Sequence, residues 1–458
     1  MIHILMLLFS IIVFLGQFVI QSSVISQVIT LIIFCIVFIQ VLYKHKIVFH
    51  PNVLFLVSFF TFLLGRILIG LITDKSFAQN EFFTTHVFSR QIQFSILISL
   101  QVALLGFFSG SVLSVNTEKR NYKKVGIPSK DLFKVVFWIL FVFSAFSNCF
   151  VLYKTVSQVF SEGYLSLYVS PPLIPGIIHF FATLFTLAFA YIINCTTNSR
   201  HKKIGKGVFI ILLFISLLTG GRGSFLINLL TYLFFAMRYN KKKLNILKLF
   251  FFGILFIFSM QIISSLRVNE TVVQIDKMMS YFIWNQGTSI SIQGYVLEHI
   301  SRIPKNLMIL FKTVLDPYLS LIGLNAPLNM ASVMYQDVMK TYSLGHIVSY
   351  LVDSNKFSMG YGLGDCYISE LYIIGGYPLI FLGSFFYSYF FTFFTRKARF
   401  NEYFSFFLYQ MMPFYIFAPR WKFLGFIGNV NYLIKAMPLI LLLCFLLRPY
   451  VMRRKSLA

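Results

Sequence analysis

Val208–Leu218 reads VFIILLFISLL, Phe225–Phe235 reads FLINLLTYLFF, and between them stands Thr219-Gly220-Gly221-Arg222-Gly223-Ser224. Continuous apolar runs of this density belong to helices buried in lipid rather than to half-exposed strands or surface helices. An arginine between two such runs is expensive, because a charged side chain at membrane depth costs at least ~2.5 kcal/mol even on the lenient insertion scales. Three glycines surround it and allow backbone or ligand to approach closely. The stretch reads as a turn between two transmembrane helices at the outer membrane face, with Arg222 set to hold a phosphate.

The rest of the chain agrees with a membrane reading. Of 458 residues, 58% are hydrophobic and only 12% charged, and the mean hydropathy is +0.80. No soluble domain of this length has such a composition. The expected fold class is all-α: a polytopic membrane protein with about twelve transmembrane helices. A transmembrane barrel is excluded because the runs are continuous rather than alternating. The first run, Ile2 to Ile20, has no basic leader and no small-residue cleavage site, so it reads as a span rather than a signal peptide.

The net charge of +25 is not a nucleic-acid signature. Most Lys and Arg residues fall in short loops after alternate spans, which is the positive-inside pattern. These loops include Lys44-His45-Lys46, Lys119 to Lys130, Arg200 to Lys206, Arg238 to Lys243, Arg396 to Arg399 and the tail from Arg448. Twelve spans with both termini inside place every one of them in the cytoplasm. Residues 1–266 then carry nine spans, 267–366 form one large outer loop of short amphipathic helices and turns, and 367–458 carry three more spans and the basic tail. The five cysteines are scattered, with neither a disulfide framework nor a zinc spacing.

This topology gathers Arg90, Arg222, Arg267 and Arg420 at outer helix ends. Arginine presents a planar fork of donors that matches phosphate and stays charged at any pH. The group is a candidate pyrophosphate site, although a single interfacial arginine also serves simply to snorkel into the headgroups. The large loop and its margins supply acid–base candidates: His346, Asp337, Asp365 and Glu370, along with Asp316 and Asp353. Glu370, at the start of a span, could equally form a structural salt bridge with one of the arginines. Gly360, Gly362 and Gly364 are not a dinucleotide fingerprint, since no strand precedes them. No Walker motif, HExxH pair, nucleophile elbow or EF-hand loop is present.

The stretch LLTGGRGSFLINLLTYLFF, the segment Ser343-Leu344-Gly345-His346, and GYGLGDCYISELYIIGGYPLIFLGSFF followed by the late arginine Arg420 together resemble the Wzy-type polymerases of O-antigens and related bacterial polysaccharides. The resemblance covers roughly residues 205–425. It implies a GT-C-like glycosyltransferase of the bacterial inner membrane whose active site faces the periplasm. Such an enzyme would take undecaprenyl-diphosphate-linked oligosaccharides as both donor and acceptor. The growing chain would pass to the non-reducing end of a new repeat unit. By the same resemblance Arg222 and Arg420 would grip the donor pyrophosphate with Arg267 in support, and His346 would be an acid–base or supporting group. Besides membrane lipids, the family implies a chain-length-regulating co-polymerase as partner. No nucleic acid and no cofactor are expected. The first outer loop, Gln21 to Ser26, lacks the acidic residues that bind metal in many lipid-sugar-dependent transferases, so the reaction is expected to need no metal. An O-antigen ligase and a lipid-linked oligosaccharide flippase are the competing readings: a ligase would use a different acceptor, and a flippase would make no new glycosidic bond.

Overall fold

The computed structural model describes residues 2–20, 22–45, 50–73, 75–78, 86–114, 130–164, 166–196, 199–220, 222–237, 275–319 and 333–456. Every regular element among them is helical. The first half contains α1 (Ile2–Ile20), α2 (Ser23–His45), α3 (Pro51–Thr73), α4 (Arg90–Leu113), α5 (Lys130–Glu162), α6 (Gly176–Cys195), α7 (Ser199–Leu217) and α8 (Arg222–Met237). Shorter helices follow: α9 (Ile275–Gln286), α10 (Ser289–Glu298), α11 (Met308–Leu319), α12 (Tyr335–Lys340) and α13 (Leu344–Val352). The chain ends with α14 (Tyr367–Ala398), α15 (Glu402–Phe417) and α16 (Gly425–Ser456). Among the described residues seven helices are long and apolar enough to cross a membrane, so the chain is an all-α, multi-pass membrane protein. The span expected at 248–265, Arg267, and the basic loops 119–124 and 238–243 lie outside the described residues. Arg200 to Lys203, expected in a loop, form the first turn of α7.

The tightest seam lies between α4 and α14. Gly106 and Gly110, one turn apart, face the backbone of Phe381 and Phe385, and a Cβ on either glycine would strike the carbonyl oxygen opposite. Small residues spaced by four let membrane helices approach closely where lipid supplies no hydrophobic drive for association. The pairing of 106 with 381 and 110 with 385 also makes the two helices parallel. Around this seam the interior is polar glue and aromatic packing. The Asn52 amide donates to Ser388 Oγ at 3.0 Å and Thr392 Oγ1 at 2.9 Å, and its oxygen accepts from Tyr415 Oη at 2.9 Å. Phe55 stacks between Phe107 and Tyr415 at 4.8 and 5.0 Å. Nearer the N-terminus, Gln101 donates to Gln17 Oε1 at 3.0 Å and Thr30 Oγ1 at 2.8 Å.

α14 is not the straight span its composition suggests. Gly375 and Gly376 leave helical geometry, with Gly376 at φ 61°, ψ −152°, a combination open essentially to glycine alone. The chain reverses there. Tyr367 Oη lies 3.2 Å from Ser384 Oγ, although residues seventeen apart in a straight helix are about 25 Å distant. A Cβ on Gly383 would meet Leu371 at 2.5 Å. Residues 367–374 therefore fold back along 377–398 as a re-entrant helix, and Glu370 lies within the bundle.

These contacts sort the ends of the helices. α3 begins beside Ser388 and Thr392 and runs toward the end of the bundle where α14 reverses. α15 returns from Arg399 to that same end and closes in the turn Ala418–Arg420. α8 begins there too, since a Cβ on Gly223 would lie 3.2 Å from the Phe417 ring. The opposite end carries Lys44, bonded to Ser114 Oγ at 3.1 Å, and Arg396 and Lys397 in the last turn of α14.

Replacing Gly376 with alanine should cost about 1–3 kcal/mol, the usual cost of a non-glycine residue in this region. The expected result is a lower melting temperature in detergent, with Gly207→Ala as a control: Gly207 is a glycine within α7 with open space around it. An unchanged melting point for Gly376→Ala would contradict the reversal.

Candidate active site

The residues that can do chemistry collect where the re-entrant helix meets the turn between α15 and α16. α15 is capped by the Asn401 side chain, which accepts from Tyr403 N at 2.8 Å, and it ends at Phe417, where the tight turn Ala418–Arg420 with Pro419 takes over. Its 16 residues span about 24 Å, less than the ~30 Å hydrocarbon core. The turn Arg420-Trp421-Lys422-Phe423 follows.

Glu370 organises this turn. It is 0% exposed, and its Oε2 accepts the Phe423 N–H at 2.7 Å. Tyr387 donates to the Phe423 carbonyl, so both backbone groups of that residue are held. The partner of Glu370 is therefore a main-chain amide rather than an arginine. Its other oxygen, Oε1, is buried and has no hydrogen-bond partner among the described residues. Asp365 and Lys422 supply the nearby charges.

Asp365 and His346 belong to the same group. Gly345 N donates to Asp365 Oδ1 at 2.7 Å, which places the carboxylate over the first turn of α13 and satisfies a donor the helix leaves open. Ser349 Oγ fastens the glycine-rich loop by accepting from Leu363 N at 3.0 Å. Gly345 has to be glycine here, because a Cβ would press on Gly364 O at 2.5 Å and Asp365 Oδ1 at 2.9 Å. His346 follows on α13. It is exposed at its edge, but surrounding protein desolvates it and lowers its pKa, with Asp365 opposing the shift and Lys422 and Lys312 reinforcing it. The imidazole is thus neutral at pH 7 and able to accept a proton. Lys312 itself pairs with Asp316 at 3.0 Å.

Arg420 is half-buried. Its guanidinium donates to Gln286 Oε1 at 3.2 Å and lies 5.6 Å from the Phe62 ring centroid. Arg222 opens α8, and its neighbour Gly223 touches Phe417, three residues before Arg420. The structure thus brings His346, Asp365 and Glu370 together with the Arg420 turn, and brings the start of α8 alongside. Asp337 is exposed in the first turn of α12, and Arg90 is exposed in the first turn of α4. Lys422 and Arg66 were not singled out from the sequence. Lys422 stands in the run Arg420-Trp421-Lys422, a pattern that interfacial anchors share. Arg66, an arginine in an apolar span, was the signal that could have been used.

Asp365→Asn weakens the cap on α13 and removes the charge that holds the His346 pKa up. The expected outcome is a loss of roughly 1 kcal/mol of stability and a further downward shift of the His346 pKa, read by NMR of labelled histidine. An upward shift would contradict the geometry.

The model of one family, described as O-antigen polysaccharide polymerase Wzy, matches residues 1–455. Comparison with curated proteins and with solved structures returns no match. With nearly the whole chain matched, the protein belongs to the Wzy O-antigen polysaccharide polymerase family, and it is a multi-pass membrane enzyme that polymerises O-antigen repeat units.

Proposed function

We propose that the enzyme transfers a growing glycan from undecaprenyl diphosphate to the non-reducing end of an incoming lipid-linked repeat unit, on the periplasmic side of the inner membrane and without a metal ion. The observation that carries this reading is the meeting of the Arg420 turn, the start of α8 and the Glu370–Asp365–His346 group at one end of the bundle. The other end carries Lys44, Arg396 and Lys397. By the positive-inside rule that end is cytoplasmic, which supports an outward-facing site. We extend this to twelve spans with the segment 267–366 outside, in a GT-C-like arrangement.

In the reaction, the bond between the anomeric carbon and the diphosphate oxygen breaks, and a hydroxyl of the acceptor sugar bonds to that carbon. The electron pair leaves with the diphosphate and the hydroxyl proton goes to a base. Arg420 and Arg222, with Arg267, would face the charge building on the phosphate oxygens. Fixed guanidinium groups in a recess poor in water stabilise such charge without reorganising, so the role often given to a divalent cation is covered by the chain. His346, neutral and partly exposed, suits the proton acceptor. Glu370 holds the arginine-bearing turn through Phe423, and Asp365 holds α13. Exposed Asp337 and Arg90 are assigned to the surface.

The test is polymerisation by purified protein in nanodiscs, given its own lipid-diphosphate-linked repeat unit and EDTA. A ladder of multi-repeat products is expected. Arg420→Ala and Arg222→Ala should each reduce its rate about 100-fold or more. A ladder that requires metal, or that survives both substitutions, would sink the proposed site. Activity should also fall with pH once His346 protonates, below the ordinary histidine value of about 6.5. His346→Gln should be slow and should lack that acid limb.

A further inference from the structure

Arg66 is absent from the anion group read out of the sequence, yet its surroundings are closely built. It is 2% exposed in the middle of α3. A π-helical turn, Phe60–Leu64, directly precedes Gly65 and Arg66; such turns occur mostly as single bulges inside α-helices and are frequent at functional sites. Gly65 and Gly287 clear the space around it. A Cβ on Gly65 would run into the Ile283 side chain, and one on Gly287 would meet Arg66 Cγ at 2.5 Å. The end of α9 therefore seats directly on the arginine. Arg66 Nε donates to Trp284 O at 2.7 Å, and its guanidinium carbon lies 4.7 Å from the Trp284 ring centroid.

The last carbonyls of a helix lack intrahelical donors and form the negative end of its dipole. At the end of α9, Arg66 takes the carbonyl of Trp284, and Arg420 takes the side-chain oxygen of Gln286 at 3.2 Å. Four residues before Arg66, on the same face of α3, Phe62 lies against the Arg420 guanidinium. One buried arginine thus fixes both the helix end and the helix face that set the position of the other. Gln286 is neutral, so it orients Arg420 without cancelling its charge. A diphosphate oxygen, being anionic, makes the stronger hydrogen bond with the same guanidinium.

We infer that Arg66 is a positioning residue for the polymerase reaction: by anchoring the end of α9 it makes Gln286 and Phe62 hold Arg420 ready for the donor diphosphate. The inference rests on the role proposed for Arg420, and the experiment separates the two. Initial polymerisation rates are measured in nanodiscs for Arg420→Met, Arg66→Met and the double variant, each checked for a monodisperse, folded protein. A loss below about threefold for Arg420→Met would reject the role of Arg420 itself, against the roughly 100-fold expected. Given that loss, Arg66→Met should lower kcat about 10-fold or more. The double variant should stay within about threefold of Arg420→Met, because Arg66 then has nothing left to position. Losses that multiply would overturn the inference, as independent structural damage adds to any loss at the site. Gln286→Ala gives a second reading that leaves the Arg66–Trp284 contact in place. It should slow the reaction and be non-additive with Arg420→Met. Full activity in Gln286→Ala would overturn the inference, and this variant decides the question if Arg66→Met does not fold.

Discussion

The reversal at Gly375–Gly376 is the constraint on which the candidate site depends. It turns residues 367–374 back along their own helix, and only then can Glu370 reach the Phe423 N–H. That hydrogen bond joins the re-entrant helix to the turn after α15. With Tyr387 on the Phe423 carbonyl, it fixes where Arg420 and Lys422 stand relative to His346 and Asp365. A straight α14 would carry Glu370 away from the turn and leave a buried carboxylate with no donor, which is costly in a low-dielectric interior.

The scaffold beneath is held by means suited to lipid. Association of helices there gains little from the hydrophobic effect, so close packing and interhelical hydrogen bonds take its place. The Gly106–Gly110 seam supplies the first, and the Asn52 and Gln101 networks supply the second. Individual bonds of this kind contribute on average only about 0.6 kcal/mol. The rigidity therefore comes from their combination with the stacked rings around Phe55 and Tyr415. A stiff base of this sort is what a site working through fixed charges requires, since electrostatic stabilisation is lost when donors must reorient.

Ionisable side chains of both kinds meet above this base. Glu370 and Asp365 each accept a main-chain N–H, while Arg66 donates to a main-chain carbonyl and Arg420 to the side-chain oxygen of Gln286. Backbone groups thus take part in holding the ionisable side chains at this end of the bundle, beside ion pairs such as Lys312–Asp316.

Much of this protein was legible in its sequence. Continuous apolar runs and alternating basic loops determined an all-α, multi-pass membrane protein, because lipid demands long apolar helices and the charge bias orients them. The glycine–arginine stretch and the Gly360–Glu370 run carried much of the family resemblance and three of the candidate residues, Arg222, Asp365 and Glu370. Period and composition could not show that α14 doubles back, since residues 367–374 are as apolar and helical as a span. They could not distinguish Glu370 bonded to an amide from Glu370 bonded to an arginine. They gave no hint that Arg66 and Arg420 share the end of one short helix. Those relations join residues up to about two hundred positions apart, and only packing in three dimensions brings them within hydrogen-bond reach.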